Sequence, residues 1–204
     1  MKKTFVITGI TSGIGKALAL DLAKTGETVV VAGPGPVGLL TVVLARLLGA
    51  GTIILTGTRS ERLDIGLKLG ADIAINVREE NAIERIMELT DGFGADAVLE
   101  CAGNIQAAVD TVEYTKKSGR IALVGNYKEP APMNIGKIML SNLTVVGSRG
   151  EGERSVARSL ALLGRKTIDI SPLITHTFPL DEIHKAFEIA EKRLEGAIKV
   201  VVKP

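Results

Sequence analysis

Apolar runs of four or five residues alternate along this chain with longer stretches in which apolar positions recur every three or four residues. The runs Thr4–Thr8, Thr28–Ala32, Thr52–Thr56, Ile73–Asn76, Ala97–Cys101, Arg120–Val124 and Leu143–Gly147 read as strands. Most are apolar throughout rather than alternating, the pattern of strands covered on both faces. Between them Gly13–Lys24, Pro36–Leu48, Glu61–Leu69, Asn81–Thr90 and Asn104–Lys116 read as helices. Strands alternating with helices of this length predict right-handed βαβ units and an α/β fold with a doubly wound parallel sheet of six to seven strands. Past Gly150 the pattern changes. A helix around Ser155–Leu163 leads to Ile170-Ser171-Pro172-Leu173-Ile174, a second helix near Asp181–Lys192, and the strand-like Ala197–Val202. The expected organisation is a sheet domain over 1–152 and a small, mainly helical C-terminal appendage over 153–204.

Two glycine-rich motifs sit at strand ends. Thr8-Gly9-Ile10-Thr11-Ser12-Gly13-Ile14-Gly15 follows the first apolar run, and Gly33-Pro34-Gly35-Pro36-Val37-Gly38 follows the second. Glycine at such a position permits a tight strand-to-helix turn, and a second lets backbone approach a pyrophosphate with no Cβ in the way. A third allows close packing of helix on strand, while the helix N-terminus offers unpaired N–H groups and partial positive charge. Pro36 suits the first turn of its helix, where a missing N–H costs nothing. Gly9, Gly33 and Gly57 each follow an apolar strand at 24-residue spacing, the period of one strand, one helix and two short loops. Rossmann-like periodicity accounts for it.

The two motifs compete for one place. In a doubly wound sheet the strand carrying the phosphate loop is central, with later strands on both sides. If Thr28–Ala32 is that strand, a unit built on Thr4–Thr8 has no free neighbour beside it. If Thr4–Thr8 takes the centre, everything shifts by one strand and a seven-stranded sheet results, with Gly9, Gly13 and Gly15 at the crevice. Candidate phosphate contacts are therefore Gly9, Thr11, Ser12, Gly13 and Ile14 from one loop, and Gly33, Gly35, Pro36 and Val37 from the other.

Composition narrows the partners. Aromatic residues are 3% of the chain against 46% hydrophobic residues, an aliphatic profile that suits a buried parallel sheet. Net charge is +2 with no long basic cluster, so nucleic acid is not expected as a partner. No apolar stretch approaches the ~20 residues of a membrane span. Cys101 is the single cysteine, which excludes an internal disulfide and a multi-cysteine zinc site and points to the cytoplasm.

From about Gly26 to Pro204 the sequence resembles the coenzyme domain and C-terminal tail of medium-chain, zinc-type alcohol and polyol dehydrogenases of the sorbitol and threonine type. The resemblance is carried by Gly26–Gly38, Leu69-Gly70-Ala71-Asp72, Gly94–Gly103, Gly119–Gly125 and Pro172-Leu173-Ile174-Thr175-His176. Residues 1–32 instead resemble the start of short-chain dehydrogenase/reductases, through Thr8-Gly9-x-x-x-Gly13-Ile14-Gly15. The two overlap on Glu27–Gly33, the pattern of a chimera. The resemblance implies NADP or NAD as cofactor, bordered by the strand-end segments Cys101-Ala102-Gly103 and Val124-Gly125. It also implies homodimer formation through the Leu143–Ser148 edge strand.

Cofactor choice rests on the end of the strand after the glycine loop. An acid there, ~20 residues on, would accept hydrogen bonds from the adenosine ribose. At Gly57 and Thr58 there is none, and Arg59, Ser60 and Arg62 follow. A guanidinium grips a phosphate bidentately, so NADP(H) is expected to bind at least as well as NAD(H). By resemblance Arg62 is common to both cofactor types, which leaves the preference on Arg59. No catalytic set is legible. Zinc-type dehydrogenases hold their metal on a domain preceding the coenzyme domain, and that domain is not in this sequence. His176 and His184 have no accompanying cysteine. The short-chain pattern needs a lysine four residues after a tyrosine, but Tyr114 meets Ser118 and Tyr127 meets Ala131. The expectation is a cofactor-binding chain without zinc and with little or no dehydrogenase activity; the alternative is a recombined fold with no ligand.

Overall fold

The computed structural model describes residues 26–148, 155–164 and 168–204. Six parallel strands form one sheet: β1 (Thr28–Ala32), β2 (Thr52–Gly57), β3 (Ile73–Asn76), β4 (Ala95–Glu100), β5 (Thr115–Leu123) and β6 (Thr144–Gly147). Their spatial order is β3-β2-β1-β4-β5-β6. Helices α1 (Pro36–Leu47), α2 (Ser60–Lys68), α3 (Ala82–Leu89), α4 (Ile105–Glu113) and α5 (Ile135–Leu140) fill the connections. The doubly wound α/β expectation holds, with six strands among the described residues.

Strand periodicity divides the core in two. Val29 and Val31 of β1 point to one face, where Leu39 and Val42 of α1 meet Ile53, Leu55 and Leu99. Val30 points to the other, with Ile54, Ile75, Ile86, Val98, Val112 and Ile121. These side chains are fully buried. Each contributes on the order of 1.5–3 kcal/mol. The central strands must therefore be apolar at every position, which is why they read as runs.

β1 is paired on both sides, Val30 lying opposite Ile54 of β2 and Val98 of β4. This corrects the shifted, seven-stranded alternative: Thr28–Ala32 occupies the centre and no position beside it is open to another strand. Thr4–Thr8, Gly13–Lys24 and the candidates Gly9, Thr11, Ser12, Gly13 and Ile14 lie outside the described residues.

Three differences from the sequence reading concern element ends and the tail. The helix expected to reach Lys116 stops at Glu113, because Thr115 already pairs with Ala95 as the start of β5. α5 was not foreseen; Asn134 caps it by accepting from the Lys137 amide. The appendage is less helical than expected. After α6 (Ser155–Gly164), β7 (Ile174–Pro179) and β8 (Lys199–Lys203) form a two-stranded parallel sheet, connected through α7 (Ile183–Lys192). Phe178, Ala186, Ile189 and Ala197 make a small core there. The tail also docks on the sheet domain, since Leu173 is buried in the main core with Ile168, Ile170 and Ile198 packed against it.

Candidate functional site

The strand order reverses between β1 and β4, and a crevice opens at their carboxyl ends. Gly33 leaves β1 with φ +104°, and a Cβ there would stand 2.7 Å from the Ala102 backbone. Gly38 lies on the face of α1 that meets the turn; its Cβ would sit 1.9 Å from the Gly33 carbonyl oxygen. Gly35 differs from both. Nothing lies within 4 Å of where its Cβ would be. Two of the three glycines thus close the turn, and the middle one leaves bare backbone facing open space. Gly35 is the N-cap of α1 and supplies no side-chain cap, with Pro36 following. The first-turn N–H groups of this 12-residue helix therefore face the crevice with the dipole's positive end.

A cleft of about 640 Å³ extends from this loop toward the ends of β2 and β3. Ala32, Gly33, Pro34, Gly35 and Pro36 line one side, with Cys101 and Ala102 beneath. Thr56, Gly57, Thr58, Arg59 and Arg62 line the far end, joined there by Arg193, Ala197 and Ile198 from the tail. Gly57 has to be glycine, because a Cβ would meet the Pro34 ring at 2.4 Å. No carboxylate stands at the end of β2, as the sequence indicated.

The arginines carry the electrostatics. Arg62 is 8% exposed and donates to the Ala197 carbonyl, while its Nε has no hydrogen-bond partner. Burial lowers its pKa, and the charges of Arg59 and Arg193 lower it further, against a smaller opposite effect of Glu61. Three guanidinium groups thus converge, and none of them forms an ion pair among the described residues. Helix α2 begins here at Arg59 without a side-chain cap. The arrangement fits an anion, and it holds a cost of repulsion and desolvation that an anion would relieve.

A second cluster lies beside the loop. Glu100 is fully buried, and its Oε1 accepts from the Ala102 amide at 2.9 Å and the Gly103 amide at 3.0 Å. Tyr127 donates its hydroxyl to Oε2. Burial raises the Glu100 pKa, more than these donors lower it. The carboxylate fastens the end of β4 to the loop after β5. Gly103 and Gly125 are closely apposed there, a Cβ on Gly125 falling 2.3 Å from the Gly103 nitrogen.

Of the residues expected from sequence, Gly33, Gly35, Pro36, Gly57, Arg59, Arg62, Cys101 and Ala102 come together around one cleft. Val37 stands exposed at the start of α1, outside the lining. Gly103, Val124 and Gly125 lie outside it too, tied to Glu100: the Val124 and Gly125 amides donate to its carbonyl at 2.8 and 2.9 Å. Burial pushes the Cys101 pKa up to about 12, and its sulfur lies 3.7 Å from the Thr41 hydroxyl. His176 Nε2 is 3.6 Å from Glu195, and His184 is exposed on α7. Among the described residues no cluster of three or more His, Cys, Asp or Glu could hold a metal ion, and no helix is long and apolar enough to cross a membrane. Sequence reasoning missed Arg193 and Glu100. Arg193 carries no local motif, and the partners of Glu100 come from separate loops.

Comparison with known proteins agrees with this geometry. Residues 36–165 match the family model described as zinc-binding dehydrogenase. The chain is 39% identical to a sorbitol dehydrogenase of Halalkalibacterium halodurans over 191 residues, 92% of this chain and 55% of that protein. An alcohol dehydrogenase structure from Thermotoga maritima superposes with TM-score 0.85 at 33% identity, covering 95% of this chain and 55% of its own. A Sinorhizobium meliloti 1021 structure bound to NADP has TM-score 0.85 at 28% identity, covering 96% of this chain and 58% of its own. The chain spans about half the length of the curated relatives it matches. It belongs to the zinc-binding dehydrogenase family.

Proposed function

We propose that the cleft over Gly33–Gly35 binds NADP(H) or NAD(H), with NADP(H) favoured, and that the chain itself oxidises alcohols weakly or not at all. One observation carries the binding: the uncapped start of α1 behind a glycine loop, with bare Gly35 backbone open to the crevice. Gly33, Gly35 and the α1 amides would hold the pyrophosphate, and Arg59 and Arg62 the adenosine end. Cys101 and Ala102 would border the nicotinamide. The bound cofactor would supply hydride transfer; the chain's own residues bind it, orient it and exclude water. Low activity and zinc-free binding are the readings supported by one cysteine and two histidines that make no zinc-ligand pattern.

The division into 1–152 and 153–204 is supported by the separate small core of the tail. Residues 1–32 we read as a short-chain-type unit joined at Glu27–Gly33, a chimera, on the strength of the Thr8–Gly15 pattern. Self-association through Leu143–Ser148 is supported by β6 at the sheet edge and by exposed Ile135, Met139 and Leu140 on neighbouring α5. The partner classes are the cofactor and a second copy, not nucleic acid or membrane, in a cytoplasmic setting consistent with the lone cysteine.

Titration of NADPH fluorescence tests the site. Gly35→Val is expected to weaken binding more than about a hundredfold without loss of fold, and Gly13→Val to leave it intact. Loss with Gly13→Val alone would move the site to the first loop, and normal binding by both variants would remove the assignment altogether. Sedimentation of the same proteins reads dimer formation.

A further inference from the structure

The C-terminal tail brings a cation to the cleft that neither glycine loop nor β2 can supply. Arg193 caps the end of α7 in the left-handed region, φ +53°. That region is disfavoured for a non-glycine residue. Glu195 and Gly196 follow with φ +50° and +71°, so the chain turns tightly just after Arg193. The turn returns it at Ala197, whose carbonyl receives the Arg62 guanidinium. Arg62, Arg193 and Ala197 therefore lie together in the cleft wall, with Arg59 facing them from the start of α2. Arg62 is nine-tenths buried with an unpartnered Nε, and its neighbours are two more cations and the single carboxylate Glu61. Among the described residues no ion pair compensates this positive charge, which Glu61 offsets only in part.

Resting on the reading of the cleft as a dinucleotide site, we propose that Arg193 is a specificity residue that contacts the 2′-phosphate of NADP(H). Arg59 and Arg193 grip the phosphate from opposite sides, the sheet domain and the tail. Arg62 sits behind them, holding the tail turn in place through Ala197. A 2′-phosphate offers the acceptor oxygens that this trio lacks, whereas a ribose hydroxyl offers no charge to offset three guanidiniums. Discrimination between the two cofactors thus depends on a residue more than a hundred positions from the glycine loop.

The test uses the full 204-residue chain and three probes, NADPH, NADH and 2′,5′-ADP. Arg193→Gly removes the cation while suiting the left-handed backbone, so the fold is kept, as an unchanged melting curve would verify. Its expected effect is about tenfold weaker binding of NADPH and of 2′,5′-ADP, with NADH affected less than about twofold. Arg193→Lys restores NADPH binding to within about threefold of the parent. Equal weakening of NADPH and NADH overturns the proposal, because it makes Arg193 a structural support of the whole cleft. Unchanged NADPH binding overturns it as well, yet leaves the cleft as the cofactor site. If the parent chain binds none of the three probes, the cofactor reading falls and this proposal with it.

Discussion

The two ends of the six-stranded sheet handle charge in opposite ways. At the amino end three carboxylates are matched by cations. Glu27 pairs with Arg120, Asp96 with Lys116, and Asp72 with Arg46 at 2.6 Å. Two of those carboxylates also serve backbone: Asp96 accepts from the Thr28 amide at 2.8 Å, and Asp72 from the Ile53 amide at 2.7 Å. They fix where β1 and β2 begin. At the carboxyl end Arg59, Arg62 and Arg193 share a cleft with no ion pair among the described residues, and α1 and α2 start without side-chain caps. One end completes its own electrostatics, the other leaves them for a ligand. Charge at the first end should therefore govern stability, and charge at the second should govern binding.

The sharpest break of that division comes from glycine, where both roles meet in one loop. Gly38→Ala puts a Cβ against the Gly33 carbonyl. It should cost about 3 kcal/mol and lower Tm by roughly 6–12 °C, with cofactor binding lost as a consequence. Gly35→Val, three positions away, should leave Tm within about 2 °C because its Cβ enters open space. Thermal melts of the two variants decide the matter. Equal destabilisation would mean that Gly35 is as structural as Gly38.

Charge variants come next in size. Glu27→Gln removes one partner of a pair whose side chains are 17% and 19% exposed, and should cost about 1–3 kcal/mol in urea unfolding without altering NADPH affinity. Arg59→Gln should do the reverse, changing stability by less than about 0.5 kcal/mol and weakening NADPH about tenfold. A large binding loss in Glu27→Gln would erase the distinction between the ends.

What could be read from sequence follows the same physical line. Strands β1, β2 and β3 are legible because burial on both faces demands unbroken apolar runs, and α3 and α4 because Asn81 and Asn104 cap them locally. α5 escaped notice since it buries no residue and so shows no amphipathic stripe. β7 escaped because a two-stranded sheet tolerates the polar Thr175, His176 and Thr177 within it. In the site, the glycines were legible as backbone chemistry tied to sequence spacing. Arg193 was not, since its position is set by the docking of α7 and β8. Nor was Glu100, whose donors arrive from residues two, three and 27 positions away.

Glu100 gives the smallest and most pH-specific effect, and it qualifies the comparison, because it is a buried carboxylate at the carboxyl end. Its folded pKa is raised, so the folded state holds the proton more tightly than the unfolded chain does. The stabilising contribution is then complete below the unfolded carboxylate range and is lost as pH rises through the folded pKa. Each unit of that displacement is worth about 1.4 kcal/mol. Glu100→Gln keeps acceptors for the Ala102 and Gly103 amides and turns a donor toward Tyr127 while removing the charge. It should melt a few degrees above the parent at pH 8 and converge with it near pH 4.5, flattening the pH profile. A variant less stable than the parent at pH 8 would show that the amide donors outweigh burial. The carboxylate would then belong with the matched charges of the amino end.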